Sequence, residues 1–282
     1  FNTDSSRLEI YNGEAWWEID STSPELQTGG TRGLVAAGYT PTPSFTQYNT
    51  IDFFDASSTG NATDFGDLTK GTIFDLAGQT SSRTRAIFGG GYVSGQPRQN
   101  SIDFVTIASQ GDAQDFGDLT VTGHGISMCI NDSTRGVFAG RTSAPTFRNT
   151  IDYITIASTG DAQDFGDLVI STFACGNGYG NSIRGEFSGG NPSTPATARQ
   201  SFIFATKGNA TNFGDLLVTR NNHMAASSPT RCVIAGGTVS GSPSNQIEYV
   251  NPTTSGSAVD TNTSFANAPS GSAGLSNAHG GL

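Results

Sequence analysis

Arg135-Gly-Val-Phe-Ala-Gly140, followed by Asn149-Thr-Ile-Asp152 and then by Phe165-Gly-Asp-Leu168, is the stretch that decides the fold. Its first part recurs as Arg32-Gly-Leu-Val-Ala-Ala-Gly38, Arg85-Ala-Ile-Phe-Gly-Gly-Gly91, Arg184-Gly-Glu-Phe-Ser-Gly-Gly190 and Arg231-Cys-Val-Ile-Ala-Gly-Gly237, a period of about 50 residues. The second part returns as Asn49-Thr-Ile-Asp52, Asn100-Ser-Ile-Asp103, Asn245-Gln-Ile-Glu248 and, diverged, as Gln200-Ser-Phe-Ile203. Phe-Gly-Asp-Leu begins again at Phe65, Phe116 and Phe213; the fifth copy lacks it and offers only Phe265 nearby. Three markers in fixed order over five copies define an internal repeat.

Each unit reads as four short strands. In the third unit, strand A runs through Leu119-Thr-Val-Thr toward Ile126-Ser-Met-Cys-Ile130. Strand B is Gly136-Val-Phe-Ala139, an apolar run stopped by glycine and suited to cover on both faces. Strand C, Thr150-Ile-Asp-Tyr-Ile-Thr-Ile156, is rich in β-branched residues, and after the Ala157-Ser-Thr-Gly160 turn strand D ends in Phe165-Gly-Asp-Leu168. No segment carries a 3.6-residue apolar stripe, which excludes a helical repeat. A lone four-stranded unit cannot cover both faces of its sheet, so neighbours must stack radially and close. The expectation is an all-β chain: a single propeller of five four-stranded blades, or six if the termini add one. Its divisions are a hairpin and connector over 1–24, the propeller over 25–266, and a Gly/Ser/Ala-rich tail over 267–282. Arg7-Leu-Glu-Ile-Tyr-Asn-Gly13 and Ala15-Trp-Trp-Glu-Ile19 read as a hairpin turned at Asn12-Gly13, and Gly274-Leu-Ser-Asn-Ala278 faintly resembles a strand A.

Composition agrees. Charged residues make up 13%, aromatics 10%, and there are 37 glycines and 18 phenylalanines, the profile of many strands and turns rather than long helices. The formal net charge of −10, with no Lys/Arg run, speaks against a nucleic-acid partner. No apolar stretch reaches the length of a membrane span, so no membrane insertion is expected. Cys129, Cys175 and Cys232 are odd in number and lack zinc-site spacing, and they read as small buried hydrophobes.

The apolar run closed by Gly89-Gly90, Gly189-Gly190 and Gly236-Gly237 resembles the double glycine of kelch repeats, and the Asn-Thr-Ile-Asp segment resembles the kelch strand that follows it. Phe65, Phe116, Phe165 and Phe213 stand where kelch blades carry an outer-strand Trp, and Gly38 and Gly140 lack a partner glycine, so the chain is kelch-like with departures. The opening Phe1-to-Ile19 stretch resembles a hairpin module of bacteriophage tail and fibre proteins. The Thr-Ile-Asp-Tyr-Ile-Thr-Ile-Ala-Ser-Thr-Gly units with Asp-Phe-Gly-Asp-Leu resemble kelch-like repeats of virion proteins from tailed phages of marine bacteria and cyanobacteria. That resemblance implies a virion structural or adhesive role, partners among other virion proteins and a host receptor or glycan, and trimeric homo-oligomers. No catalytic residue carries over from it.

Residues able to do chemistry are few. The once-per-blade Arg32, Arg85, Arg135, Arg184 and Arg231 read as architectural, pairing with repeated acids such as Asp67, Asp118, Asp167 or Asp215. Gly111-Asp-Ala-Gln-Asp-Phe-Gly-Asp118 and Gly160-Asp-Ala-Gln-Asp-Phe-Gly-Asp167 place carboxylates in a turn that suits calcium, but Asp also builds turns on its own backbone, and neither a cofactor nor a metal is expected. Only His124, His223 and His279 supply imidazole, and the sialidase Asp box, the Gly-x-Ser-x-Gly elbow and the His-Glu-x-x-His helix are all absent, so no catalytic residue is assigned and an enzyme is not expected.

Binding is expected instead in the variable connections between strands B and C. These run from Tyr39 to Tyr48 (with Phe45), Tyr92 to Gln99 (with Arg98), Arg141 to Arg148 (with Phe147), Asn191 to Arg199, and Thr238 to Ser244. Two function classes follow. One is a non-enzymatic phage tail or fibre component, in the virion, whose propeller docks on the particle or meets the host surface. The other is a secreted bacterial lectin-like or adhesion propeller at the cell surface.

Overall fold

The computed structural model describes residues 8–11, 13–19, 31–40, 46–69, 78–93, 95–126, 128–132, 134–143, 146–172, 176, 178–190 and 197–269. Over these the chain is all-β, and its sheets are arranged as a five-bladed β-propeller. A hairpin of β1 (Leu8–Tyr11) and β2 (Trp16–Ile19) comes first, with Tyr11 opposite Trp16, so its turn spans 12–15 rather than Asn12-Gly13 alone. The first blade holds β3 (Arg32–Thr40), β4 (Thr46–Asp55) and β5 (Thr63–Asp67). β6 (Gly78–Ser81), β7 (Arg85–Gly91), β8 (Gln99–Thr106) and β9 (Gln114–Asp118) form the second. In the third are β10 (Met128–Asn131), β11 (Arg135–Ser143), β12 (Thr146–Thr155) and β13 (Gln163–Asp167). The fourth comprises β14 (Tyr179–Gly180), β15 (Arg184–Ser188), β16 (Ala198–Ile203) and β17 (Thr211–Asp215). The fifth comprises β18 (Met224–Ser227), β19 (Cys232–Ala235), β22 (Gln246–Val250) and β23 (Val259–Ser264), with a small hairpin of β20 (Thr238–Val239) and β21 (Ser242–Pro243) between its middle strands. Every blade is an antiparallel meander in chain order. The strand A expected for the first unit, and the tail from residue 270, fall outside the described residues.

Apolar residues fill the space between blades rather than a single centre. Leu68 and Phe65 of the first blade pack with Phe88 and Val105 of the second. Phe116 and Leu119 meet Phe138 and Ile154 of the third, Tyr153 and Phe165 meet Phe187 and Phe202 of the fourth, and Tyr179 and Leu216 meet Ile234 and Val250 of the fifth. Strand β7 is therefore buried at six consecutive positions, as expected for a strand covered on both sides. Fully burying one such Phe or Ile contributes about 1.5–3 kcal/mol.

The Phe-Gly-Asp marker turns out to be a joint. In each of the first four blades the ladder between the last two strands slips by one residue, so that Phe65, Phe116, Phe165 and Phe213 have no partner opposite them. Such a bulge leaves its extra residue out of the ladder. The freed carbonyls are taken by the next blade: Gly111, Gly160, Gly208 and Gly256 donate their amides to them at 2.7–2.9 Å. Two residues on, the amides of Ala113, Ala162, Ala210 and Ala258 donate to the carbonyls of Asp67, Asp118, Asp167 and Asp215 at 2.8 Å. Backbones meet so closely that a Cβ on Gly117 would lie 2.5 Å from the carbonyl carbon of Gly160, which explains the glycine.

The fifth blade differs. Phe265 does not replace the bulge Phe. Its amide bonds Asn245, as Leu68 bonds Asn49 and Leu216 bonds Thr197, so it fills the leucine place, and Asn262 bulges beside it with φ of 56°.

A second bulge interrupts strand B where the repeat turns to glycine. Gly90, Gly140, Gly189 and Gly236 adopt φ of 52–68°, and in the first blade the same left-handed position is filled by Ala37 at φ 60°. An alanine there costs about 1–2 kcal/mol that glycine avoids. Ala37→Gly is therefore expected to raise the unfolding free energy by about 1 kcal/mol, read from chemical denaturation; an unchanged or lowered midpoint contradicts this reading of the bulge.

Candidate functional site

An antiparallel meander puts the connections between second and third strands at one end of the ring, together with the links from each outer strand to the next blade. Those links stiffen the loops. His124 pairs with Thr142 as an extra bridge, donating its amide to Thr142 O at 3.1 Å and accepting at 2.9 Å, and Asn221 pairs with Thr238 in the same way. Gly123 likewise donates to Gln99 O at 3.2 Å. In the fifth blade the loop tip is Ser240-Gly241 with φ of 50° and 81°, the positive pair of a tight type I′ hairpin turn. The loop end is thus built from paired backbone.

On this end the sequence-expected residues separate into three groups. Tyr48 and Phe147 are each 40% exposed, and Arg148 is exposed beside Phe147. Tyr92 and Arg98 are half-buried: Arg98 Cζ sits 5.7 Å from the Tyr92 ring centroid and its Nε donates to His124 Nδ1 at 2.8 Å, while the His124 ring lies 5.8 Å from Tyr92. A cluster of phenol, guanidinium and imidazole results, its two rings inclined at 41° to each other. Phe45 lies outside the described residues, as does the side chain of Tyr39.

Arg199 departs from the loop expectation. It stands in β16, 1% exposed, with Nη2 2.7 Å from Glu186 Oε2. The register shows why the sequence misled. Gln200 sits where the other blades carry Asp52, Asp103, Asp152 and Glu248, so Thr197-Ala-Arg-Gln200, and not Gln200-Ser-Phe-Ile203, is the counterpart of Asn-Thr-Ile-Asp. Arg199 replaces the buried Ile51, Ile102 and Ile151, and Glu186 replaces Ile87 and Val137. One blade has exchanged an apolar pair for an ion pair. Burial pushes the Glu186 carboxyl above the usual carboxylate range even against the pull of Arg199.

Two more buried pairs, Arg141–Asp152 at 2.7 Å and Arg220–Glu248 at 2.8 Å, were not visible in the sequence, because the three arginines occupy unrelated places in their repeats. The repeat acids themselves are general. Thr69 and Thr120 donate amide and hydroxyl to Asp103 and Asp152 of the following blade, at 2.6–3.2 Å.

Of the once-per-blade arginines, Arg32 and Arg85 reach carbonyls of the next blade, at Ile107, Ala108 and Ile156, at 2.8–2.9 Å, and Arg135 does so at Phe204 O. Arg184 bonds Ser201 Oγ at 2.8 Å and Arg231 lies 4.4 Å from the Tyr249 ring. These arginines join blades and rings through carbonyls and aromatic faces. The repeated Asp67, Asp118 and Asp167 take part chiefly through their backbone, each amide donating at 3.0 Å to Asp112, Asp161 or Asn209 of the next blade's turn, while Asp215 Oδ1 accepts from Thr197. Acids of the calcium-type segments are thus engaged as turn and joint elements. His223 is 1% exposed, and burial pushes its pKa down to about 3. Burial also pushes the Cys232 thiol up to about 11.

No family model matches this chain, and no curated protein matches it.

The Glu186–Arg199 exchange gives a direct test. Glu186→Val alone strands a buried guanidinium and is expected to cost about 3–5 kcal/mol. Adding Arg199→Ile restores the pattern of the other blades and is expected to recover most of that loss in urea denaturation. A double variant as weak as the single contradicts the register assigned to the fourth blade.

Proposed function

We propose that this protein is a non-enzymatic attachment component of a tailed-phage virion, of tail or fibre type, and that its loop end binds a receptor or glycan on the host surface. The propeller fold is compatible with adhesion and binding. The observation that carries the reading is the contrast between a scaffold locked by backbone joints and the exposed Tyr48, Phe147 and Arg148 at one end of it. Aromatic and guanidinium groups on rigid backbone give contact area at small entropic cost, and they dominate the energy of many interfaces. The half-buried Tyr92–Arg98–His124 cluster adds aromatic and guanidinium groups whose positions are fixed by one another, the chemistry that sugar rings and aromatic side chains pack on.

Several residue-level facts favour binding over catalysis. His223 and Cys232 are buried with pKa values displaced away from reactivity at neutral pH, and the carboxylates with strong partners hold backbone and arginine in place. The phage assignment rests on the resemblance of the hairpin and repeat motifs to virion proteins. Low charge suits a particle that meets high salt, where surface ion pairs are screened.

Binding of the purified protein to glycan arrays and to host-strain cells tests the proposal. The triple substitution Tyr48→Ser, Phe147→Ser and Arg148→Ala is expected to lower binding by at least about tenfold while leaving the thermal midpoint within about 2 °C. Equal binding by both proteins overturns the loop-end reading.

A further inference from the structure

Four of the five joints between neighbouring blades share the same features, and among the described residues the fifth shows none of them. At the four, Ala113, Ala162, Ala210 and Ala258 are buried and their amides are bonded across the joint. The acid or amide of the third strand is also buried there, at 1% for Asp103, 0% for Asp152, 1% for Gln200 and 0% for Glu248, each accepting an amide of the preceding blade. Phe88, Phe138, Phe187 and Ile234 point across the joint and are 0–5% exposed.

Between the fifth blade and the first, the counterparts are open. Ala62 and Asp52 are exposed, and Val35 is 57% exposed. Among the described residues, no cross-joint bond is made by the amides of Gly60 and Ala62. On the other side Val233 is half-buried, although its counterparts Ile87 and Val137 are 0% exposed. Among the described residues, two blade faces flank this joint without the contacts that such faces make at the other four.

We infer that this joint is a docking surface whose occupant is the chain's own N-terminal hairpin, seated as a sixth sheet edge between the fifth blade and the first. The sequence of the hairpin carries the signature the surface recognises. Gly13-Glu-Ala15 repeats Gly60-Asn-Ala62, Gly111-Asp-Ala113, Gly160-Asp-Ala162, Gly208-Asn-Ala210 and Gly256-Ser-Ala258. In all six the next residue opens a strand: Trp16 begins β2 as Thr63, Gln114, Gln163, Thr211 and Val259 begin β5, β9, β13, β17 and β23. Asp20 and Thr22 then stand at the spacing of Asp67 and Thr69, and of Asp118 and Thr120, the threonine being the residue type that caps the third-strand acid. Asp52, exposed, is the acid this threonine would meet. A two-stranded hairpin is marginal in water, so the hairpin needs cover as much as the gap needs filling.

One difference sets the strength of the seat. Ile19 stands where the other outer strands have Gly66, Gly117, Gly166 and Gly214, and Asn262 stands near the same place in β23. A Cβ at these positions meets the neighbouring turn, at 2.4 Å for Gly66, so the hairpin cannot approach as closely as a full blade and the seat is separable.

Hydrogen exchange at the Gly60 and Ala62 amides tests the seat in the full-length protein, compared in wild type, in Val35→Asp on the first blade and in Ala15→Arg on the hairpin, with far-UV circular dichroism as the check on folding. Docking predicts slowed exchange at both amides in wild type and a several-fold faster exchange in both variants with unchanged dichroism. Fast exchange at Gly60 and Ala62 in wild type, or slowed exchange that neither variant alters, overturns the proposal. So does protection that vanishes on dilution alongside a dimer measured by light scattering, since a second copy would then be the occupant. Should either variant fail to fold, the exchange rates in wild type and in the other variant decide.

Discussion

Each outer strand of the first four blades presents a carbonyl that its own sheet cannot satisfy. The bulge at Phe65, Phe116, Phe165 and Phe213 takes one residue out of the ladder, and the amide that answers it belongs to the glycine of the next blade's turn. An unmet buried carbonyl costs about 1–3 kcal/mol, so a blade is complete only beside a neighbour in the correct register. At Phe65, Phe116 and Phe165 the side chain of the same residue is buried in the cluster between the blades, while the half-buried Phe213 lies under Arg184 and Arg199. One residue type at one position therefore couples ladder geometry, interblade hydrogen bonding and apolar packing. The rest of the unit serves this joint: the glycine that lets backbones touch, the third-strand acid that accepts the departing chain, and the arginine that reaches the next blade's carbonyls.

Because the joints are made by outer strands and turns, the opposite end of the ring is free of that duty. Its loops are tied by bridges such as His124–Thr142 and Asn221–Thr238, which fix backbone while Tyr48, Phe147 and Arg148 stay exposed. Sequence variation is tolerated at such an end, since only packing between blades is needed to hold the scaffold. The same logic isolates the boundary between the last and first blades. There the bulge is altered at Asn262 and the partners of Gly60 and Ala62 are missing among the described residues, so the ring has one joint of a different kind.

The architecture was legible in the sequence because its causes repeat. Arg, apolar run and glycine recur with the blades, and the strands they predicted are present, with strand B of the third unit extended to Ser143 beyond its glycine. What escaped was specific to single blades. Phe-Gly-Asp was visible as a marker, but its meaning lies in a register slip and a contact about 45 residues away in sequence, which no local pattern encodes. Arg199 was misplaced because Thr197-Ala-Arg-Gln200 differs from Asn-Thr-Ile-Asp at every position, which erased the signal in that blade. In the fifth blade, Phe265 drew attention as a degenerate Phe-Gly-Asp-Leu although it occupies the leucine place. Tyr48, Phe147 and Arg148 were readable as exposed residues, although they stand in β4 and β12 rather than in loops, while the tethering of Tyr92 by Arg98 and His124 depends on segments from two blades.

Hydrogen exchange followed residue by residue at the amides of Ala113, Ala162, Ala210 and Ala258 tests the joint most directly. These amides lie in turns, where exchange is ordinarily fast, yet each donates at 2.8 Å to a carbonyl of the preceding blade. The account predicts that all four are protected to the level of the central strands β7 and β11 and are released together with them on global unfolding. Exchange at the rate of open turns, while β7 and β11 remain protected, would show that the blades hold together by some other means.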